Sequence, residues 1–380
     1  MPQRAIPAVF MRGGTSKAIM FHASDLPADR AEWDAIFMAA LGTPDPNGRQ
    51  LNGMGGGVSS LSKICVLGPP TRDDADIDYT FAQVLIREAR VDWKGNCGNM
   101  SSAVGPFAID EGLVRPTGDT ATVRIHNTNT RKIIRATFPL ENGQAKVVGD
   151  LAIPGVAGTG APVRLDFLAP GGATTGRLLP SGRVVDVLDV PGFGPIEASL
   201  VDAANAGAFI RARDVGLTGR ELPDELDANP EMLKLLDAIR RQASVRMGIA
   251  PDIEAACSIS TVPYIGFVSP PAAAPTLSGE TIAAEAIDLT ARIISNGQPH
   301  RALPLTGSLC TAVAARIAGS VVAECLPPGV ADGPLRIGMP SGILTVGADV
   351  AQEDGAWVAR SGSFYRTARR LFDGRVWIPG

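Results

Sequence analysis

Residues 12–17 read Arg-Gly-Gly-Thr-Ser-Lys, a composition that suits the binding of an anion. The planar guanidinium of Arg12 can hold a carboxylate through two parallel hydrogen bonds. The adjacent glycines let backbone N–H groups approach the same anion closely, and Thr15 and Ser16 add hydroxyl donors. The same residues are also typical of a turn between two strands with Lys17 in water, and composition alone slightly favours that plainer interpretation.

A second chemical candidate is Lys63, which ends the Gly/Ser-rich loop 52–63 and directly precedes the apolar run 64–67. A lysine at the mouth of a buried strand is desolvated, and desolvation lowers the pKa of an amine from its reference of about 10.4. Such an amine can remove a proton from carbon at neutral pH. The alternative is a lysine that extends its ammonium from the loop end into water, and the residues alone favour this alternative.

Two small-residue turns each lead into an apolar segment, at 96–99 (Asn-Cys-Gly-Asn) and at 305–308 (Leu-Thr-Gly-Ser). If each turn opens a helix, its backbone N–H groups lie at the positive end of the helix dipole and form a ready site for a carboxylate. In the first turn, the helix start would also lower the pKa of the Cys97 thiol. Two ordinary capped core helices would have the same pattern, so both interpretations stay open.

Composition excludes several classes of function. The net charge of −4 and the pI near 5.5 lack the basic excess that nucleic-acid binding needs. The longest apolar stretches have neither signal-peptide form nor membrane-span length, since Arg316 and Glu324 interrupt the stretch after residue 307. Five cysteines without a Cys-x-x-Cys pair and three dispersed histidines predict no disulfide framework and no metal site. We therefore expect a cytoplasmic protein that uses neither metal nor organic cofactor and contacts neither nucleic acid nor membrane.

The elements that would position these residues are a mixture of strands and helices. Alternating segments at 78–91 and 120–126 predict strands, and the 43 glycines and 30 prolines predict many turns. The pair Asn229-Pro230 is a helix start, followed by an apolar face of Met232, Leu235, Leu236 and Ile239. Apolar spacing predicts a second helix over 33–41 and a third from Ser278 through Ile282, Ala286, Leu289 and Ile293.

Length and composition predict two domains. A chain of 380 residues exceeds a typical single core of roughly 100–200 residues. The Gly- and Pro-rich stretch 169–182 has neither strand nor helix periodicity and divides the chain almost equally. We place the boundary there, which predicts domains over 1–178 and 179–380. The two turn-and-helix segments, one in each half, indicate that these halves are related.

Three of these segments together resemble the PrpF family: RGGTSK, the loop that ends in Lys63, and GNCGNMSSAVGPFA. That family includes 2-methylaconitate isomerases, methylitaconate isomerases and 4-oxalomesaconate tautomerases or Δ-isomerases. The similarity continues through IHNTNT from Ile125, IGMPSG from Ile337 and RTARRLFDG from Arg366. The resemblance therefore covers most of the chain.

The resemblance implies an α+β fold of the diaminopimelate-epimerase-like class, with two similar domains. Each domain has a sheet wrapped around a central helix, and the active site is expected in the cleft between them. In the wider superfamily each of the two turns supplies a catalytic cysteine. Here Cys97 matches the first, but Thr306 stands at the second, and a hydroxyl is far too weak an acid or base to replace a thiol. Met339 stands where the family pattern has histidine, which puts substrate contacts from that loop in doubt.

The function that the resemblance implies is a cofactor-independent allylic isomerase. It would move a double bond by a 1,3-proton shift in a small unsaturated tricarboxylic acid such as 4-oxalomesaconate or 2-methylaconitate. Lys63 is expected to transfer the proton, as base or, where bound carboxylates keep it protonated, chiefly as acid, and Cys97 to assist. The substrate carboxylates are expected to contact nine residues: Arg12, Thr15, Ser16, Gly98, Asn99, Met100, Thr306, Gly307 and Ser308.

Two other classes of function stay open. One is a cofactor-independent racemase or epimerase, which Thr306 disfavours. The other is a non-catalytic accessory protein to an aconitase-like enzyme. The sequence does not choose among the candidate acids, because they differ by a methyl or keto group that few contacts need to distinguish. It also leaves open whether the chain forms a homodimer.

Overall fold

The computed structural model describes residues 3–93, 97–259, 262–295, 297–330 and 333–379. The chain divides into two compact units, the first comprising Met1–Asp166 with Tyr365–Gly380 and the second Phe167–Phe364. The chain passes from the first unit to the second after Asp166, before the predicted domain boundary at 178. The last residues, predicted to lie in the second domain, return to the first unit.

The strands and helices have the following bounds. Up to residue 168 they are β1 (Arg4–Gly13), β2 (Ser16–His22), α1 (Trp33–Leu41), β3 (Lys63–Gly68), β4 (Ile77–Val84), β5 (Val91–Asp92), α2 (Gly98–Asp110), β6 (Thr120–Asn127), β7 (Lys132–Glu141), β8 (Gln144–Ala145), β9 (Leu151–Ala152), β10 (Thr159–Gly160) and β11 (Val163–Leu168). Beyond it they are β12 (Asp186–Val190), β13 (Gly194–Ala203), β14 (Asn205–Arg211), α3 (Pro223–Asp227), α4 (Pro230–Arg246), α5 (Ile253–Ser258), β15 (Tyr264–Ser269), β16 (Ala274–Pro275), β17 (Thr281–Ile282), β18 (Leu289–Ser295), β19 (Gln298–Pro299), α6 (Leu305–Ala314), β20 (Leu335–Met339), β21 (Gly342–Glu353), β22 (Ala356–Arg366) and β23 (Ala368–Ile378).

The sheet of the first unit follows a simple chain of pairings. Strand β1 is antiparallel to β2, β2 is parallel to β3, and β3 is antiparallel to β4. Strand β4 is then parallel to β6, and β6 is antiparallel to β7. On the other side of β1, β23 pairs antiparallel along the whole of Arg4–Gly13. This long pairing is the reason that the end of the chain belongs to the first unit.

Two helices lie on opposite faces of that sheet. Helix α1 buries the predicted face of Trp33, Ile36, Phe37 and Leu41, which packs with β-strand residues such as Ile64. Helix α2 is buried along almost its whole length and contacts β1, β2, β3, β6, β7, β8 and β23. The first unit thus has the predicted arrangement of a sheet wrapped around a central helix, and the helix predicted over 33–41 is confirmed.

The second unit repeats the pairing order of the first. Strands β13 and β14 are antiparallel, β14 and β15 parallel, β15 and β18 antiparallel, β18 and β20 parallel, and β20 and β21 antiparallel. Helix α6 is its buried helix and contacts β13, β14 and β21. Helix α4 packs against the sheet through Leu236 and Ile239. The prediction of two related halves is therefore confirmed at the level of strand pairing.

Local signals predicted some elements correctly and others wrongly. The strand over 120–126 and the helix that begins at Asn229-Pro230 are confirmed, and the Asn229 side chain accepts the Met232 N–H at 3.1 Å. The predicted strand 78–91 is β4 followed by a turn and the short β5. The helix predicted from Ser278 is wrong. Its stretch contains β17 and β18, because the branched residues of Leu289–Ser295 pair with β15 and β20.

Candidate active site

The glycines of the first candidate segment lie against the first turn of α2. Gly14 has a φ of +52°, and a Cβ there would lie 2.3 Å from the Asn99 side-chain oxygen. Its N–H donates to the Thr367 carbonyl at 2.9 Å. The β1–β2 turn therefore requires glycine both for its backbone conformation and for its close approach to the helix.

Arg12 holds this turn from the other side. Its Nη1 donates to the carbonyl oxygens of Gly14 and Thr367, each at 2.9 Å. Burial lowers the pKa of the Arg12 guanidinium, and the nearby Arg369 lowers it further. The structure thus uses part of the guanidinium fork to brace the backbone of the turn, and the predicted contact of Arg12 with the substrate stays a prediction.

Asn99 joins the turn to the end of β22. Its amide nitrogen donates to the Thr15 hydroxyl at 3.1 Å, and its oxygen accepts from Nε of Arg366 at 3.0 Å. Burial lowers the pKa of Arg366 to about 10, so it is a cation at neutral pH. Ser16 is buried at the start of β2. Thr15, Asn99 and Arg366 therefore form one polar group at the beginning of α2.

Cys97 is the cap of helix α2. Its Sγ accepts the Met100 N–H at 3.5 Å, and its carbonyl accepts the Ser101 N–H at 2.9 Å. Gly98 and Asn99 occupy the first two helical positions, where backbone N–H groups have no acceptor within the helix. Met100 is fully buried, so its side chain packs in the interior, and a contact of this residue with the substrate stays a prediction. Asn96, which precedes the cap, lies outside the described residues.

Lys63 is buried at the first position of β3, with 8% of its surface exposed. Its Nζ donates to Oε1 of Gln83 at 2.5 Å and lies 5.1 Å from the centre of the Phe81 ring. Gln83 stands directly opposite Lys63 in the antiparallel β3–β4 pair. The amine is therefore held inside the unit, which excludes the alternative of a lysine extended into water.

Lys63 and Cys97 lie near the same buried thiol. Cys65 is two residues after Lys63 on β3 and so faces the same side of the sheet. Its Sγ lies 3.8 Å from the Tyr79 hydroxyl, and Tyr79 in turn bonds Ser101 on α2. Burial raises the pKa of Cys65, and Cys97 raises it further, whereas the Tyr79 hydrogen bond and Lys63 act in the opposite direction. Both candidate proton-transfer groups thus lie on the α2 side of the sheet.

The second predicted turn begins α6 in the other unit. The Thr306 hydroxyl shares a hydrogen bond with the Tyr264 hydroxyl at 3.2 Å, and a Cβ on Gly307 would lie 2.8 Å from Ile293. Ser308 donates its N–H to Pro304 and its hydroxyl to Leu305, both at 2.8 Å. Both donors of Ser308 are thus used within the helix start, and its contact with a substrate carboxylate stays a prediction.

Met339, the departure from the family pattern, has a packing role. It is 3% exposed, and its Sδ accepts the Leu303 N–H at 3.4 Å, just before α6. A buried thioether at this position supports the loop that leads into the helix.

Sequence reasoning assigned no role to three residues that contact the candidate site. Gln83 contacts Lys63, Arg366 contacts Asn99, and Asn129 bonds both backbone groups of Phe81 and the Trp93 carbonyl at 2.7–2.9 Å. Arg366 and Asn129 lie in segments that carry the family resemblance. The motifs therefore identified these segments but did not predict the side-chain contacts. Gln83 had no motif signal, because only the strand register places it beside Lys63.

Three further observations concern the described residues. Among them, no group of three or more His, Cys, Asp or Glu side chains is placed to hold a metal ion. No helix in the described part of the chain is long and apolar enough to span a membrane. A cavity of about 650 Å³ lies beside α1 and residues such as Thr43 and Leu51, and it contains none of the predicted site residues among its described lining.

Comparisons with known proteins agree over the whole chain. A family model described as PrpF protein matches residues 3–379. The 3-methylitaconate isomerase of Eubacterium barkeri is 42% identical, and the match covers 99% of this chain and 98% of that protein. The 2-methyl-aconitate isomerase of Shewanella oneidensis is 39% identical, covering 100% and 98%. The (4E)-oxalomesaconate Delta-isomerase of Novosphingobium sp. strain KA1 is 37% identical, covering 100% of both chains.

A solved structure extends this similarity to the fold. The crystal structure of a methylitaconate-delta-isomerase matches with a TM-score of 0.90 at 42% identity, covering 100% of this chain and 96% of the other. The match confirms the fold class that the resemblance predicted.

Proposed function

The chain belongs to the PrpF family and is an isomerase, and we propose that it catalyses a 1,3-proton shift in a small unsaturated di- or tricarboxylic acid without a cofactor. The observation that carries this proposal is the buried amine of Lys63, on the face of the sheet where α2 begins at Cys97. The relatives' names supply the substrate class. The named acids are methylitaconate, 2-methylaconitate and oxalomesaconate.

In the proposed reaction one group both takes and returns the proton. In its neutral form, Lys63 Nζ removes a proton from the allylic carbon, and the C–H electron pair becomes the new double bond. The electrons of the old double bond then take the proton at the carbon two positions away. Lys63 regains its starting state, and no electron passes to or from a second molecule, so the reaction needs no oxidant or reductant.

Negative charge that develops on the substrate needs a preorganised partner. The first N–H groups of α2, at Gly98 and Asn99, lie at the positive end of the helix dipole. The Asn99 amide and the Arg366 cation lie beside them. We therefore assign a substrate carboxylate to this group, with Thr15, and we assign Cys97 an assisting role beside Lys63.

Other parts of the predicted site and setting are kept as proposals. Thr306 and Gly307 remain candidate substrate contacts in the second unit. A cytoplasmic location remains a prediction, and whether the chain forms a homodimer stays open. The racemase alternative is disfavoured, because Thr306 supplies a hydroxyl in place of a second catalytic thiol.

The experiment replaces Lys63 with methionine, which keeps the apolar stem and most of the volume but removes the amine. Positioned acid–base groups contribute about 100- to 10,000-fold, so Lys63→Met is expected to lower kcat by that factor. Cys97→Ser is expected to lower kcat less. Each of the three acids is assayed by ultraviolet absorbance and by proton NMR in heavy water, with a chelator present. Deuterium should enter the carbon that receives the proton.

The matched control is Lys234→Met, which removes an exposed lysine from α4 and should leave kcat unchanged. A Lys63→Met protein that isomerises an acid at the parent rate would refute the role of Lys63. If the parent binds one of the acids but shows neither isomerisation nor deuterium exchange, the protein is the accessory protein of the alternative interpretation.

A further inference from the structure

Gln83 faces Lys63 with a fixed orientation. The two residues are direct partners in the antiparallel β3–β4 register, which places their Cβ atoms about 5 Å apart on one face of the sheet. Oε1 of Gln83 accepts from Lys63 Nζ at 2.5 Å. Nε2 of the same amide donates to the carbonyl oxygens of Ser62 and Ser59, at 2.8 and 3.1 Å.

These three contacts leave the amide only one favourable orientation. A reversed amide would point its oxygen at two carbonyl oxygens and its nitrogen at the lysine amine. The first change places acceptor against acceptor, because carbonyl oxygens only accept. The second places donor against donor whenever Lys63 is an ammonium, which only donates. The backbone of the loop before β3 therefore sets the side of Gln83 that Lys63 meets.

The neutral amide suits a group that changes protonation during each turnover. A carbonyl oxygen accepts a hydrogen bond from an amine and from an ammonium alike. A carboxylate at the same position would bind the ammonium preferentially, because opposite charges within a few ångströms stabilise the charged form. Gln83 can thus keep Nζ in one place in both states of Lys63.

Phe81 provides a second wall for the amine. It lies two residues before Gln83 on β4, so both side chains face Lys63. The ring centre is 5.1 Å from Nζ. With Gln83 it restricts a long side chain that otherwise has many accessible rotamers.

We infer that Gln83 is a positioning residue for Lys63, which fixes the direction of the amine and leaves it free to gain and lose its proton. This inference rests on the proposed function of Lys63. Among the described residues, the titratable groups around Lys63 on this side of the sheet include Cys65 on β3, Tyr79 on β4 and Cys97 at the start of α2. The pair of His22 on β2 and Glu111 lies on the same side, at the other end of α2. A test must therefore observe Lys63 itself.

The test compares Gln83→Glu with Gln83→Met. The chain has six lysines, so carbon-13 labelled lysine gives few NMR signals, and the Lys63→Met spectrum identifies the one from Lys63. In Gln83→Glu this signal is expected to titrate at least about one pH unit higher than in the parent, because a carboxylate favours the ammonium. In the pH dependence of kcat/KM, the transition that reports the protonation of Lys63 should move in the same direction. Gln83→Met should lower kcat about 10- to 100-fold with little change in KM.

Gln144→Glu is the charge control, since it adds the same carboxylate at an exposed position on β8 and should shift nothing. An unchanged Lys63 titration in Gln83→Glu would overturn the inference, whatever the activity. So would a folded Gln83→Met protein, checked by its urea midpoint, with the parent kcat. A shifted titration in a protein whose parent isomerises none of the acids would support the contact and refute the proposed function alone.

Discussion

At the scale of single residues, the site depends on how closely backbone and side chains approach one another at the start of α2. Gly14 adopts a left-handed conformation against Asn99, and Asn99 connects Thr15 to Arg366. A side chain at Gly14 would displace the Asn99 amide and so disturb both of its hydrogen bonds. The turn therefore positions polar groups of two other elements, in addition to any contact of its own with a substrate.

Gly14→Ala tests this arrangement. Positive φ costs an alanine about 1–2 kcal/mol, and displacement of Asn99 adds about 1 kcal/mol for each hydrogen bond lost. We expect a lower free energy of unfolding and a fall in kcat/KM of about tenfold or more. Urea denaturation and steady-state kinetics measure the two effects.

Gly112→Ala is the matched control. Gly112 follows α2 with a φ of +69°, and a Cβ there would meet nothing within 4 Å. It should show the backbone cost alone, with unchanged kcat/KM. If Gly14→Ala loses no more activity than Gly112→Ala, the close approach to Asn99 has no part in the site.

At the scale of elements, α2 is held at both ends. Its first turn is capped by Cys97, and Glu111, just after its last turn, bonds His22 on β2 at 2.9 Å and Arg370 on β23. Burial of Glu111 raises the pKa of its carboxyl, but the bonds from Arg370 and His22 outweigh burial and lower the pKa below its usual 4.5. The helix that carries the site is thus tied to two strands by one carboxylate.

This carboxylate predicts a loss of stability in acid. Because its pKa is lower in the folded state, its contribution is complete above about pH 4.5 and is lost as the pH falls through the folded-state value. Glu111→Gln should cost about 1–3 kcal/mol at neutral pH and flatten the dependence of unfolding free energy on pH below 4.5. Urea titrations between about pH 3 and 7 measure both effects. In the exposed Glu88→Gln control, the unfolding free energy should depend on pH as it does in the parent. The same dependence in Glu111→Gln would contradict the role of Glu111.

At the scale of the whole molecule, two units share one order of strand pairing, and the last strand returns to the first unit. Ile378 on β23 is 4% exposed and belongs to the apolar cluster around α1. Trp377, its neighbour on the same strand, is 59% exposed. Substitution of each residue in turn therefore distinguishes the contribution of the buried face of β23 to the first unit from that of its exposed face.

Ile378→Ala is expected to destabilise the first unit by about 2–5 kcal/mol, the usual cost of removing a buried isoleucine. Native-state hydrogen exchange should show faster exchange in β1, β2 and β3 and little change in β13, β14 and β15. Trp377→Ala should have a smaller effect. Faster exchange confined to the second unit would place the end of the chain in the second domain, as the predicted boundary at 178 had it.

Local sequence determined those elements whose signals lie within a few residues of one another. The cap at Asn229 with Pro230 specified the start of α4, and regular alternation specified the strand at 120–126. The small-residue turn at Cys97 specified the start of α2. These signals work because capping and alternation are satisfied by neighbours along the chain. The family resemblance supplied the predicted fold class and the choice of Lys63 as the proton-transfer group.

Tertiary structure decided what depends on distant partners. A helix fitted the apolar spacing of Ile282, Ala286, Leu289 and Ile293. In the structure, Leu289–Ser295 is instead a strand that pairs with β15 and β20. Part of the Arg12 guanidinium donates to backbone carbonyl oxygens, one of them at Thr367, 355 residues away. Gln83 met Lys63 only through the register of β3 and β4. Strand pairing and burial assign partners across the whole chain, and no local pattern records which donor will meet which acceptor.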